Sequence, residues 1–203
     1  MRTIRWDHDA DCIEMVDQTA LPGPIETYQA CTVPALVESI EILRVRGAPA
    51  LGAAGVYGVA LSAHRNEGRS PADLLAAMET DAERIATARP TAVNLERGVE
   101  EAMVAAREGE TVAEIRELAL DAAEALADRD VERNKQIGEH GASLLADGDT
   151  VMTHCNAGAL ATVDWGTALG VIYSAREAGK AVDVVANETR PLNQGRSEEH
   201  TSE

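Results

Sequence analysis

The chain has 203 residues, 45% of them apolar; with no Phe, two Trp and three Tyr, its core must be aliphatic. No apolar run approaches the ~20 residues that span a bilayer. The start Met1-Arg2-Thr3-Ile4-Arg5-Trp6-Asp7 also lacks the apolar stretch of a signal peptide, so no membrane partner and a cytoplasmic location are expected. A net charge of −17, spread along every predicted helix with no basic stripe, disfavours nucleic acid as a partner.

Short strands are expected first, at residues 3–6 and 12–17, parted by an Asp-rich turn. Leu21-Pro22-Gly23-Pro24 marks a further turn before a third strand over residues 25–32, and the three read as a small antiparallel sheet. Helices follow. Thr32 is placed to cap one over residues 33–45, with Pro34 in its first turn. Pro49 starts a second, to about residue 63, that is apolar on nearly every face; such a helix is buried, and Gly52, Gly55 and Gly58 permit close packing. Ser70-Pro71 opens a third helix, to about residue 87, interrupted by Pro90, and a fourth spans residues 94–107. Thr111-Val112-Ala113-Glu114 is a capping box that opens a long amphipathic helix. Residues 129–145 either extend it or form another. The pattern then changes: a strand over residues 150–154, a helix over 165–178 ended by Gly179, and a strand over 182–186 make a βαβ unit.

The expected fold class is therefore α/β. A small antiparallel sheet and helical domain (residues 1–128) precede the first βαβ unit of an incomplete Rossmann-like parallel-sheet domain (residues 129–195). Parallel strands need both faces covered, so exposed apolar surface is expected there. Residues 196–203, RSEEHTSE, hold no apolar side chain and resemble the translation of a sequencing-adapter oligonucleotide, so they read as a non-native tail.

Lys135 and Lys180 are the only lysines, against sixteen Arg. Few lysines, abundant Ala and a dispersed acidic surface resemble proteins of salt-loving organisms. Such a surface need not repel an anionic substrate. The Debye length is about 8 Å at physiological salt and about 3 Å at 1 M, so only charges lining the pocket count.

Three irregularly spaced cysteines do not read as a disulfide framework, and Cys12 and Cys31 lack metal-type spacing, so no metal site is expected. Cys155 is different. Most free thiols are inert core residues. This one stands at the end of a predicted parallel strand, where ligands collect in open α/β sheets. The following Asn156-Ala157-Gly158 can open a helix, whose N-terminus lowers a thiol pKa and suits it to acid–base work. His154 should point the other way and reads as structural. In Arg46-Gly47-Ala48-Pro49, Gly47 lets backbone approach a ligand, the helix start favours a phosphate, and Arg46 adds a charged fork. A plain loop into a buried helix, with Arg46 on the surface, fits the spacing equally well. Arg89 beside Pro90 reads in isolation as a solvated Arg at a helix break. Asn193 and Gln194, after the second strand, are placed to bond sugar hydroxyls.

Together, four segments are far more specific. Residues 46–55 (RGAPALGAAG), 89–95 (RPTAVNL), 153–162 (THCNAGALAT) and 188–195 (ETRPLNQG) resemble the methylthioribose-1-phosphate isomerase family. So do the opening IRWD and Asp17-Gln18-Thr19 with Leu21-Pro22; the similarity runs in order through residues 1–195. That family is related to the regulatory subunits of eukaryotic initiation factor 2B and to ribose-1,5-bisphosphate isomerase. The resemblance implies an aldose–ketose isomerase of methionine salvage. It would convert 5-methylthioribose 1-phosphate to 5-methylthioribulose 1-phosphate with no metal or organic cofactor, as a homodimer when full length. Carried over by motif, Cys155 matches the catalytic thiol, and Arg46, Gly47, Ala48, Arg89 and Gln194 match substrate-binding positions.

The chain also departs from the family. The partner acid there is an Asp in a later strand-end motif, followed by an Asn-Lys pair, and neither segment occurs in these 203 residues. Asp164-Trp165 stands where a Gly-aromatic pair is usual. The expectation is a truncated isomerase with little activity. Ribose-1,5-bisphosphate isomerase is the nearest alternative, disfavoured by the N-terminal sheet and by Asn156-Ala157-Gly158. A non-catalytic regulatory subunit would not need Cys155, Arg46 and Arg89 together.

Overall fold

The computed structural model of the chain describes residues 2–68 and 70–189. Three strands come first, β1 (Ile4–Asp7), β2 (Cys12–Val16) and β3 (Thr27–Ala30), paired antiparallel in that order. Along β1, Ile4 and Trp6 are buried while Arg5 points out and pairs with Glu14 across the strand at 2.7 Å. That is the alternation of a half-buried sheet.

The cysteine expectation is corrected here: Cys12 and Cys31 form a disulfide, their Cα atoms 4.5 Å apart. The reason is register. Ile13 faces Ala30 across the β2–β3 pair, so one further step along each strand sets Cys12 opposite Cys31. Cα atoms of a non-hydrogen-bonded antiparallel pair approach to about 4.5 Å, within disulfide reach. Strand β3 is shorter than expected because Cys31 is tied back to β2 and Thr32 already caps the next helix.

Helix α1 (Val33–Glu41) has the Thr32 side chain accepting the Ala35 N–H. It stops before the expected residue 45, where Leu43 turns to φ +67° and the Ser39 carbonyl takes the N–H groups of Arg44 and Val45. Helix α2 (Ala48–Arg65) is buried at every position from Ala50 to Ala63 and forms the axis of the core. Around it pack α3 (Pro71–Thr87), α4 (Val93–Ala106) and α5 (Val112–Ala142). The α2–α4 approach is close: a Cβ on Gly98 would fall on the carbonyl oxygen of Gly52. The capping box at Thr111 and Glu114 is formed. Helix α5 runs unbroken through residues 128–129, so the stretch expected either to extend the helix or to stand apart extends it.

Strand β4 (Thr150–Thr153), helix α6 (Ala168–Glu177) and strand β5 (Asp183–Ala186) make the expected βαβ unit, with β4 and β5 parallel and α6 packed on the second half of α5. Helix α6 begins three residues later than expected because Trp165 and Gly166 are in left-handed conformation, at φ +72° and +79°. Met152 is 67% exposed, and Val184 and Val185 are 42% and 45% exposed, so the parallel pair leaves apolar surface uncovered. Among the described residues no helix is long and apolar enough to cross a membrane. The tail at residues 196–203 lies outside the described residues.

Candidate functional site

Cys155 lies at the carboxyl end of the parallel strand pair, one residue past His154 and two past the end of β4. It is half-buried and is a free thiol. Its φ of +63° is in the left-handed region, uncommon for any residue but glycine. Such a conformation costs on the order of 1–3 kcal/mol and persists only where the surroundings enforce it. The neighbouring strand end is close: the Asn187 N–H donates to the Thr153 carbonyl at 3.1 Å, and Asn187 Nδ2 lies 3.4 Å from Nδ1 of the exposed His154. The Thr153 hydroxyl is buried and has no hydrogen-bond partner among the described residues.

No helix opens directly after Cys155, which corrects the expectation from Asn156-Ala157-Gly158. A loop with one 3-10 turn (Ala159–Ala161) intervenes, and it folds back on itself. The Ala157 carbonyl accepts N–H groups from Thr167 at 2.9 Å and Leu169 at 3.3 Å. The positive end of α6 is thus turned on the Ala157 carbonyl.

Four residues distant in sequence hold this loop. Thr3 donates its N–H to the Val163 carbonyl at 2.8 Å and its hydroxyl to the Ala159 carbonyl at 2.7 Å. Gln18, 5% exposed, donates Nε2 to the Leu160 carbonyl at 2.8 Å and accepts Arg46 Nε–H on Oε1 at 2.9 Å. Asp130 Oδ2 accepts the Val163 N–H at 2.8 Å, and Asn134 Nδ2 donates to the Asp164 carbonyl at 3.3 Å. Burial pushes the Asp130 carboxyl above its usual pKa, against the pull of the Val163 N–H, Asn134 and Arg133. None of the four stood out as a site residue in the sequence. Two signals bear on them: Gln18 lies in the family-like Asp17-Gln18-Thr19, and Asp130 and Asn134 stand four residues apart on a helix, where residues share a face and Asn is a weak helix former.

Gln18 brings the Arg46 loop to the Cys155 loop, and Gly47 seals the contact. Gly47 is at φ +98°, and a Cβ there would fall on the backbone of Ala161. The close approach expected for a ligand at Gly47 is thus made by the loop backbone. Ala48 begins α2 and is exposed. Arg46 and Gly47 are therefore brought against the loop that follows Cys155, and Ala48 is next in the chain. Arg89 does not join them through any bond. It is half-buried between α3 and α4, its carbonyl accepts the Ala92 N–H at 2.9 Å, and its side chain makes no hydrogen bond or ion pair with another described residue. The helix that follows it is nevertheless close: a Cβ on Gly52 would stand 3.6 Å from that of Asn94, so the first turn of α4 lies on the second turn of α2. Gln194 lies outside the described residues.

A cavity of about 400 Å³ opens beside these helix starts, lined by Pro49, Gly52, Asn94, Arg97, Asp130 and Arg133 among others. A second, of about 580 Å³, lies between α5 and α6, against Lys135, Trp165 and Lys180. Cys155, Arg46 and Arg89 line neither. Among the described residues no three His, Cys, Asp or Glu side chains are grouped to hold a metal ion.

Known proteins resemble this chain along nearly its whole length. A protein of Archaeoglobus fulgidus provisionally named methylthioribose-1-phosphate isomerase is 54% identical over 195 residues, covering 96% of this chain and 57% of its own. The crystal structure of the translation initiation factor eIF-2B, subunit delta, from A. fulgidus superposes with a TM-score of 0.90 at 53% identity, over 97% of this chain and 57% of that one. The structure of 5-methylthioribose 1-phosphate isomerase from Pyrococcus horikoshii OT3 also gives a TM-score of 0.90, at 34% identity over 97% of this chain and 55% of that one. The chain thus spans a little over half the length of these relatives. The model of the initiation factor 2 subunit family matches residues 44–201, which include the Arg46 loop, Arg89 and the Cys155 loop. The chain belongs to the initiation factor 2 subunit family.

Proposed function

We propose that this chain carries the thiol and the phosphate grip of an aldose–ketose isomerase that converts 5-methylthioribose 1-phosphate to 5-methylthioribulose 1-phosphate in methionine salvage. The observation that carries the reading is the seating of Gly47 on Ala161, with Gln18 tying Arg46 to Leu160. It joins a cationic helix start to the loop of a strand-end thiol. Helix α2's first N–H groups and Arg46 would hold the phosphate, with Arg89 and Gln194 approaching from the α4 start and from beyond β5. Phosphate on the anomeric carbon blocks simple opening to an aldehyde. The enzyme must therefore assist ring opening and then move hydrogen between C2 and C1, as a proton or as a hydride. In the proton route Cys155 supplies one of two acid–base groups. The other is the Asp that the family resemblance places in a segment absent from these 203 residues.

On this reading residues 1–128 build the phosphate grip and residues 129–195 begin the catalytic domain, with α5 common to both. The full-length enzyme would be a cytoplasmic homodimer that uses no cofactor. Removal of one acid–base group typically lowers a rate by about 10²–10⁴-fold. The 203-residue chain should therefore turn over substrate at least about a hundredfold more slowly than the P. horikoshii enzyme, and Cys155→Ser should abolish what remains. Ketose formation from 5-methylthioribose 1-phosphate measures both. Turnover near that of the longer enzyme would show that no second acid is missing, and turnover surviving Cys155→Ser would remove the thiol from the reaction.

A regulatory subunit is the second reading, favoured by the likeness to the A. fulgidus eIF-2B delta subunit. It would not need the thiol, so binding to a partner should survive Cys155→Ser.

A further inference from the structure

Two side chains one helical turn apart on α5 hold the return limb of the Cys155 loop. Asp130 Oδ2 accepts the Val163 N–H at 2.8 Å and Asn134 Nδ2–H at 3.1 Å. Asn134 is 3% exposed, and the same Nδ2 reaches the Asp164 carbonyl at 3.3 Å. The next peptide is pinned as well, because the Val163 carbonyl accepts the Thr3 N–H.

This limb bears directly on the residues beside the thiol. A Cβ on Gly166 would fall on the backbone of Gly158, so the two chain segments are in contact. The Ala157 carbonyl is held by the Thr167 N–H at 2.9 Å. Ala157 is two residues from Cys155. A rigid path thus runs from Asp130 through Val163 and Gly166 to Gly158 and the left-handed Cys155. A charged acceptor binds an N–H more strongly than a neutral one, which suits it to hold a strained turn in place.

We infer that Asp130 and Asn134 are positioning residues for Cys155: their clamp on Val163 and Asp164 fixes the loop conformation in which the thiol meets the sugar phosphate. The role in catalysis rests on the function proposed above; the clamp itself does not, and the test reads the clamp without turnover. Cys155 is the free thiol of the unreduced chain, so its alkylation by iodoacetamide reports the loop, and hydrogen exchange of the Val163 amide reports the bond.

Loss of a hydrogen bond to a charged group, about 1.5–3 kcal/mol, corresponds to roughly tenfold or more. Asp130→Ala should therefore speed Val163 exchange by about tenfold or more and shift the alkylation rate by at least about threefold. Asp130→Asn keeps an oxygen that can accept both donors but loses the charge, and should fall between the parent and Asp130→Ala on both readouts. A general loosening of α5 would not be rescued in this way. Asp130→Ala rates within about twofold of the parent would overturn the inference, as would an Asp130→Asn variant as perturbed as Ala. Should Asp130→Ala fail to fold, Asn134→Ala is read in its place against the same limits. If the clamp behaves as expected while Cys155→Ser leaves isomerisation intact, the functional reading fails and the clamp stands.

Discussion

Replacing Gly47 by Ala perturbs the contact on which the site depends, and two separate costs can be worked out for it. Gly47 is at φ +98° and ψ 139°, close to a region that only glycine occupies without strain, and placing an L-residue there costs about 1–3 kcal/mol. The new methyl would also fall on the Ala161 backbone, which has no flexible end to swing away. Forcing a methyl into a packed contact costs about 1–3 kcal/mol more. The sum is roughly 2–6 kcal/mol. At about 2–4 °C per kcal/mol for a chain of this size, the melting temperature should fall by roughly 4–24 °C. Gly148→Ala provides the control, because Gly148 is at φ +84° with nothing within 4 Å of an added Cβ. It should carry the backbone cost alone. Thermal denaturation followed by far-UV circular dichroism measures both variants. If Gly47→Ala were no more damaging than Gly148→Ala, the Arg46 and Cys155 loops would not be pressed together, and the reasoning would be refuted.

Two further outcomes are expected. Tyr57, buried inside α2, has its hydroxyl pKa pushed up to about 12, chiefly by burial, with Glu124 and Asp128 adding to it and Arg2 opposing. The unfolded chain loses that proton near pH 10 while the folded one keeps it, so stability should fall as pH rises from about 10 to 12, by at most about 3 kcal/mol. Denaturation midpoints across that range should show the slope in the parent and a shallower one in Tyr57→Phe; equal slopes would contradict the assignment. The Cys12–Cys31 disulfide closes a loop with a sequence separation of 19, for which chain entropy gives about 3 kcal/mol. Reduction should lower stability by about that amount and raise the titratable thiols from one to three; three thiols before reduction would refute the bond.

The elements legible in the sequence are those decided by neighbours in the chain. Thr32 and Thr111 cap helices because their side chains reach N–H groups three residues on, and α2 is buried because its own residues leave it no polar face. The βαβ unit followed from apolar strands around a helix ended by Gly179. What was not legible depends on partners far away. The loop after Cys155 takes its path from Thr3, Gln18 and Asp130, so Asn156-Ala157-Gly158 read locally suggested a helix that α5 and the N-terminal strand do not allow. The disulfide needed the β2–β3 register, which cysteine spacing alone does not contain. Arg46 and Cys155 could be singled out by type and position; Gln18 stood in a family-like segment, but its joining of their loops depends on partners 28 and 142 residues away.

The most direct test asks whether Arg46 and Cys155 serve one ligand. Alkylation of Cys155 by iodoacetamide is followed in the 203-residue chain with rising 5-methylthioribose 1-phosphate, in the parent and in Arg46→Ala. The account predicts saturable protection of the thiol in the parent and its loss, or a shift to at least about tenfold higher ligand concentration, when the guanidinium is removed. Protection absent from the parent, or identical in the two proteins, would contradict it.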